Sequence, residues 1–87
     1  MVSKKLTITN AMGFHMRPAS AFALAMGKYP CEVKIKSAGT EANGKSLMNI
    51  IAACIKCGAD IEIVCDGERE EEALAEASAM VESGFGE

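Results

Sequence analysis

Apolar and polar positions alternate in two rhythms along this 87-residue chain. Leu6-Thr7-Ile8-Thr9 alternates with period two, the pattern of a half-buried strand. Asn10 to Gly13 reads as a loop. From Met16 to Lys28 the apolar residues Ala19, Phe22, Ala23 and Met26 fall on one face of a helix. Gly27 weakens the end of that helix and Pro30 closes the connection. Cys31, Val33 and Ile35 then alternate with Glu32, Lys34 and Lys36, which predicts a second strand with one charged face. Ala38-Gly39 predicts a tight turn into a short third strand, Thr40 to Ala42, and hence a hairpin. After the loop Asn43-Gly44-Lys45, Ser46 precedes Leu47, Ile50, Ile51 and Cys54, again at helical spacing. Ser46 is thereby placed as N-cap or first-turn residue of a short helix that Gly58 ends. Ile61, Ile63 and Cys65 alternate with Glu62 and Val64 in a fourth strand, and Asp66-Gly67 turns the chain. The last helix is expected from Glu68 to Glu82, with Ala73, Leu74, Ala77, Met80 and Val81 inward and an acidic first turn that complements the helix dipole. Gly84 stops it.

The predicted order is β-α-β-β-α-β-α. Each strand alternates instead of running continuously apolar, so the sheet has one covered and one wet face. That predicts an α+β fold, a four-stranded antiparallel sheet with three helices on one side. A single domain is expected to span residues 1–87.

Composition adds little to this outline. The chain is 49% apolar and 24% charged, a globular balance. No apolar run approaches the roughly 20 residues of a membrane-spanning helix, and the N-terminus lacks a signal-peptide pattern, so a cytoplasmic location is expected. The net charge of −3 hides an asymmetry. Residues 1–58 carry eight basic side chains against two acids, and residues 59–87 carry Arg69 against ten acids. The basic part favours an acidic partner surface or a phosphate. One Tyr and no Trp give no stacking platform, which argues against nucleic acid.

Two places carry candidate chemistry. Cys54-Ile55-Lys56-Cys57 has the spacing of half a zinc site or a redox pair. Cys31 and Cys65 fall on strand apolar phases and Cys54 on a helical one, so small buried hydrophobes, reduced and metal-free, are the expectation. The single histidine lies in Gly13-Phe14-His15-Met16-Arg17-Pro18-Ala19, where a strand pattern gives way to a helix pattern. A helix N-terminus offers N–H donors and a positive dipole end to an anion. Arg17 adds a planar cation matched to phosphate oxygens. Capping of the helix by His15 and phosphoryl carriage on it both fit the spacing.

The His15-Met16-Arg17-Pro18 segment, with Asn43-Gly44-Lys45-Ser46-Leu47-Met48 at the matching distance and the Gly84-Phe85-Gly86-Glu87 ending, resembles the HPr family. These are the histidine-containing phosphocarriers of the bacterial phosphoenolpyruvate:sugar phosphotransferase system, and the likeness is to the Gram-positive type with a regulatory serine. The resemblance covers the whole chain and implies an open-faced β-sandwich. It implies that His15 accepts a phosphoryl group on Nδ1 from Enzyme I and passes it to sugar-specific Enzyme IIA domains, with Arg17 stabilising the group in transfer. It implies that Ser46 is phosphorylated by HPr kinase/phosphorylase, in carbon catabolite repression through a catabolite control transcription factor. Met16, Ser20, Leu47, Met48 and Ile51 match the surface that docks partners. Such a protein is a monomeric covalent carrier rather than an enzyme, and uses no cofactor or metal. The alternative is a mainly regulatory interaction module. Gram-positive bacteria carry an HPr-like regulatory paralogue without the active histidine, from which His15 separates this chain. Phe14, Met16 and Met12 depart from the commoner pattern around the histidine. From the residues alone, Leu47, Ile50 and Ile51 also read as core, and Met48 lies off their face.

Overall fold

Strand and helix follow one another as the periodicities predict, but several boundaries move. The computed structural model describes residues 1–86, so only Glu87 of the expected ending lies outside it. The order is β1 (Val2–Thr7), α1 (Met16–Met26), β2 (Glu32–Ser37), β3 (Thr40–Asn43), α2 (Leu47–Ala52), β4 (Asp60–Asp66) and α3 (Glu70–Glu82), with a final 3-10 turn (Gly84–Gly86). The strands form one antiparallel sheet in the order β1-β4-β2-β3, with three helices.

The core lies between sheet and helices. Leu6, Val33, Ile35, Ala42, Ile61, Ile63 and Cys65 point from the sheet toward Phe22, Met26, Ile50, Ala73, Ala77 and Val81. Burying each large side chain in that set contributes about 1.5–3 kcal/mol. The opposite face of the sheet carries an alternating row of charges. Lys5 stands beside Glu62, Glu62 beside Lys36, and Lys36 beside Glu41 across the four strands. Opposite charges at cross-strand neighbours are favourable, and they keep the uncovered face wet.

The differences from expectation have local causes. β1 starts at Val2, four residues early, because polar Ser3, Lys4 and Lys5 pair along β4 at the sheet edge without alternating in hydropathy. The expected Ile8 and Thr9 lie past its end. Ile8 instead exchanges backbone bonds with the chain before β4, donating to Ala59 at 2.9 Å and accepting from Gly58 at 2.8 Å. α2 stops at Ala52, and Gly58 does not end it. Cys54 takes a left-handed backbone (φ +54), so the helical phase breaks there. Cys54 is exposed, not buried as its phase predicts, and Ile55 enters the core in its place. α3 starts at Glu70 because Arg69 is also left-handed (φ +62), and the Glu70 carboxylate accepts the Gly67 N–H at 2.9 Å. Leu74 and Met80 are half-buried, while Ser78 is buried.

Candidate functional site

His15 sits at the N-cap of α1 with an extended backbone, and its carbonyl accepts the first helical N–H, from Ala19, at 3.0 Å. The imidazole makes no capping hydrogen bond to the helix. The ring is half-buried, while Met16 and Arg17 in the first turn are exposed and Pro18 is buried. First-turn N–H groups have no intrahelical carbonyl to bind, so an anion at the start of α1 meets donors and a positive dipole end, and Arg17 stands in the same turn.

The preceding loop is fixed from three directions. Asn10 Nδ2 donates to the Gly13 carbonyl at 2.7 Å, and the Gly13 N–H donates to Asn10 O at 3.1 Å. The Phe14 N–H donates to the Ile55 carbonyl at 2.9 Å. The Phe14 ring is buried edge-on against Phe22 at 5.4 Å and tilted against Phe85 at 4.8 Å. Gly13 (φ +64) presses on the chain between α2 and β4, and a Cβ there would fall 2.6 Å from Ile55 O and 2.7 Å from Lys56 Cα. Only glycine meets both demands.

Ser46 is the N-cap of α2, as expected. Its Oγ accepts from the Asn49 N–H at 3.3 Å and from Asn49 Nδ2 at 3.1 Å. The loop before it is equally tight, because a Cβ on Gly44 would lie 2.6 Å from the Val33 side chain. Lys45 Nζ donates to the Tyr29 carbonyl, tying this loop to the connection between α1 and β2.

Of the expected docking residues, Met48 is 73% and Met16 60% exposed. Ser20 is exposed as well, whereas Leu47 and Ile51 are half-buried against the core. Leu24 is 79% exposed and was not anticipated. Met16, Ser20 and Leu24 follow one another at four-residue steps, so α1 carries two exposed apolar residues with a serine between them along a line leading away from His15. The signal was present in the sequence as an apolar residue off the core face of α1. α1 and α2 pack together, and Met48 is the exposed apolar residue of α2. A hollow of about 700 Å³ lies elsewhere, at the β2–β3 turn, and His15 does not line it. A half-buried histidine on an open helix end suits chemistry completed by a docked partner.

No group of three or more metal-ligating side chains occurs among the described residues. Their helices are all too short or too polar to cross a membrane. Burial pushes the Cys65 thiol up to about 11, with help from nearby Cys31.

The family model for the PTS HPr component phosphorylation site matches residues 2–83. The phosphocarrier protein HPr of Borreliella burgdorferi is 36% identical over 83 residues, 95% of this chain and 96% of the relative. The phosphocarrier protein NPr of Escherichia coli K12 is 37% identical over 87 residues, 99% of this chain and 97% of the relative. The crystal structure of HPr from Thermoanaerobacter tengcongensis superposes with a TM-score of 0.96 at 30% identity, covering 100% of this chain and 98% of the other. A dimer of HPr from the same organism is also known.

Proposed function

This chain belongs to the HPr family of phosphocarriers, proteins that are not enzymes, and from that premise we propose that His15 is its phosphoryl acceptor. One observation carries the reading. The only histidine of the chain stands at the N-cap of an 11-residue helix, uninvolved in capping, with Arg17 in the same turn. Nδ1 of a neutral imidazole attacks the phosphorus carried by Enzyme I, the bond to that donor breaks, and a phosphoramidate forms on His15. Transfer to an Enzyme IIA domain reverses the roles. Charge stabilisation and positioning do most of this work. Arg17 supplies part of it and the docked partner the rest. Partners seat on Met16, Ser20, Leu24 and Met48, with Leu47 and Ile51 supporting them from beneath. The protein works in the cytoplasm as a monomer, without nucleic acid, membrane insertion, metal or cofactor.

Ser46 is the regulatory position in this reading. A phosphate there replaces the hydroxyl as acceptor for the Asn49 N–H and side-chain amide, so α2 is retained while two charges are added beside Met48. A mainly regulatory module, acting through HPr kinase/phosphorylase and a catabolite control transcription factor, is the second reading; it rests on the family likeness around Ser46, since the cap geometry suits an unmodified serine equally well. Incubation with phosphoenolpyruvate and Enzyme I separates the two. A carrier gains an acid-labile phosphate on His15, and a module that only regulates gains none.

A further inference from the structure

The chain between α2 and β4 contains the Cys54–Cys57 pair, and phosphoryl carriage makes no use of it. Both thiols are exposed, whereas Cys31 and Cys65 are buried. Cys57 Sγ lies 3.9 Å from the Thr9 carbonyl, and Cys54 holds a left-handed backbone that favours glycine. The two residues between these cysteines are the ones that brace the histidine loop. Ile55 offers its carbonyl to the Phe14 N–H, and Ile55 and Lys56 form the surface that leaves Gly13 no room for a Cβ.

We propose that Cys54 and Cys57 form a reversible intrachain disulfide under oxidation by a small-molecule disulfide, and that its closure slows phosphorylation of His15 by displacing the Ile55 carbonyl. The effect on His15 rests on the carrier reading above. The chemistry is thiol–disulfide exchange. One cysteine thiolate attacks a sulfur of the small disulfide, whose S–S bond breaks and releases one small thiol. The second cysteine attacks the protein sulfur of the mixed disulfide and releases the other. The two cysteines are oxidised, the small disulfide is reduced, and both thiol protons end on the released thiols. A disulfide holds its Cα atoms about 4.4–6.8 Å apart. Three chain steps span at most about 10 Å, so the cysteines are within tethered reach of one another. Ile55 and Lys56 lie inside the ring that closure makes, so the bond constrains the very backbone that meets Phe14 and Gly13. The left-handed backbone of Cys54 is a costly conformation for a residue other than glycine, which makes this segment a place where a new covalent constraint is felt. Cys31 and Cys65 stay out of the exchange because they are buried.

The test uses the full chain with oxidised glutathione. Intact mass and peptide mapping should show loss of two hydrogens at Cys54–Cys57, restored by dithiothreitol. Hydrogen exchange at the Phe14 amide should quicken on oxidation, and the initial rate of His15 labelling by phosphoenolpyruvate and Enzyme I should fall several-fold and recover on reduction. Cys54→Ser and Cys57→Ser should label normally and ignore the oxidant. If the reduced protein takes up no phosphate, the carrier reading fails, while mass and exchange still decide whether the pair closes and moves Phe14. Formation of mixed disulfides only, or a disulfide that leaves Phe14 exchange or the labelling rate unchanged, overturns the proposal.

Discussion

At the scale of single residues, His15 and Arg17 divide the work between bonding and charge. His15→Ala should abolish phosphoenolpyruvate-dependent labelling while leaving the circular dichroism spectrum unchanged. Persistent labelling of that variant would place the acceptor elsewhere. Arg17→Ala should keep the acceptor and lower the transfer rate, by about 10- to 100-fold, because an exposed guanidinium is worth less than the 10²–10³ typical of an enclosed donor. Tyr29 gives a second prediction. Its hydroxyl donates to Glu76 at 2.5 Å, and Arg69 lies over its ring at 4.9 Å. The same hydrogen bond, followed by Lys28, holds the Glu76 carboxyl below its ordinary value, and it holds the Tyr29 hydroxyl above its own. The carboxylate's contribution is present above the ordinary carboxylate range and is lost as pH falls through the depressed folded value. The phenol's contribution is present below the ordinary tyrosine value and is lost as pH rises through the raised one. Tyr29→Phe should therefore lower Tm by a few degrees at neutral pH and by less near pH 2. An equal drop at both values would assign the effect to packing.

At the scale of elements, legibility followed side-chain chemistry. The face of α1, the Ala38-Gly39 hairpin and the Ser46 cap were readable because each depends on residues close in sequence. The end of α2 was not, because no glycine marks it and the apolar spacing runs on through Cys54. The edge strand β1 was half hidden, since Ser3, Lys4 and Lys5 form ladder bonds with no hydrophobic signature. Around the site, the His15–Arg17 spacing was plain. The brace from Ile55 and Lys56 was invisible, being largely a contact of backbone with backbone across some forty residues of chain. Two substitutions test these elements. Ala38 (φ +49) occupies a left-handed turn position, so Ala38→Asn should stabilise the hairpin by about 0.5–1 kcal/mol in urea unfolding. Gly13→Ala should cost more than about 2 kcal/mol, since it combines a left-handed φ with a backbone clash. A near-neutral result at position 13 would mean that the two loops part easily.

At the scale of the whole molecule, the basic first 58 residues do not form one basic surface. Lys5 and Lys36 stand in the charge row on the open sheet face, and Lys34 pairs with Glu41 at 3.5 Å beside it. Lys28 pairs with Glu76, and Lys4 with Glu82. Steering at the site therefore rests less on these paired lysines than on the positive end of α1. A docking contact there should still feel a new charge beside Met48. Ser46→Asp should weaken productive binding to Enzyme I several-fold at low salt, with the gap narrowing as screening shortens the Debye length to about 3 Å near 1 M. Equal steady-state kinetics for both proteins at low salt would leave Ser46 only a cap. The tight seam between the histidine loop and the α2–β4 connection has a consequence for how freely the sequence can drift. Gly13 meets Lys56 through that residue's backbone alone, while the Lys56 side chain is turned to solvent. Two residues that touch are thus under opposite constraint. In a library of all single substitutions, position 13 should reject every replacement, and position 56 should accept nearly all but proline.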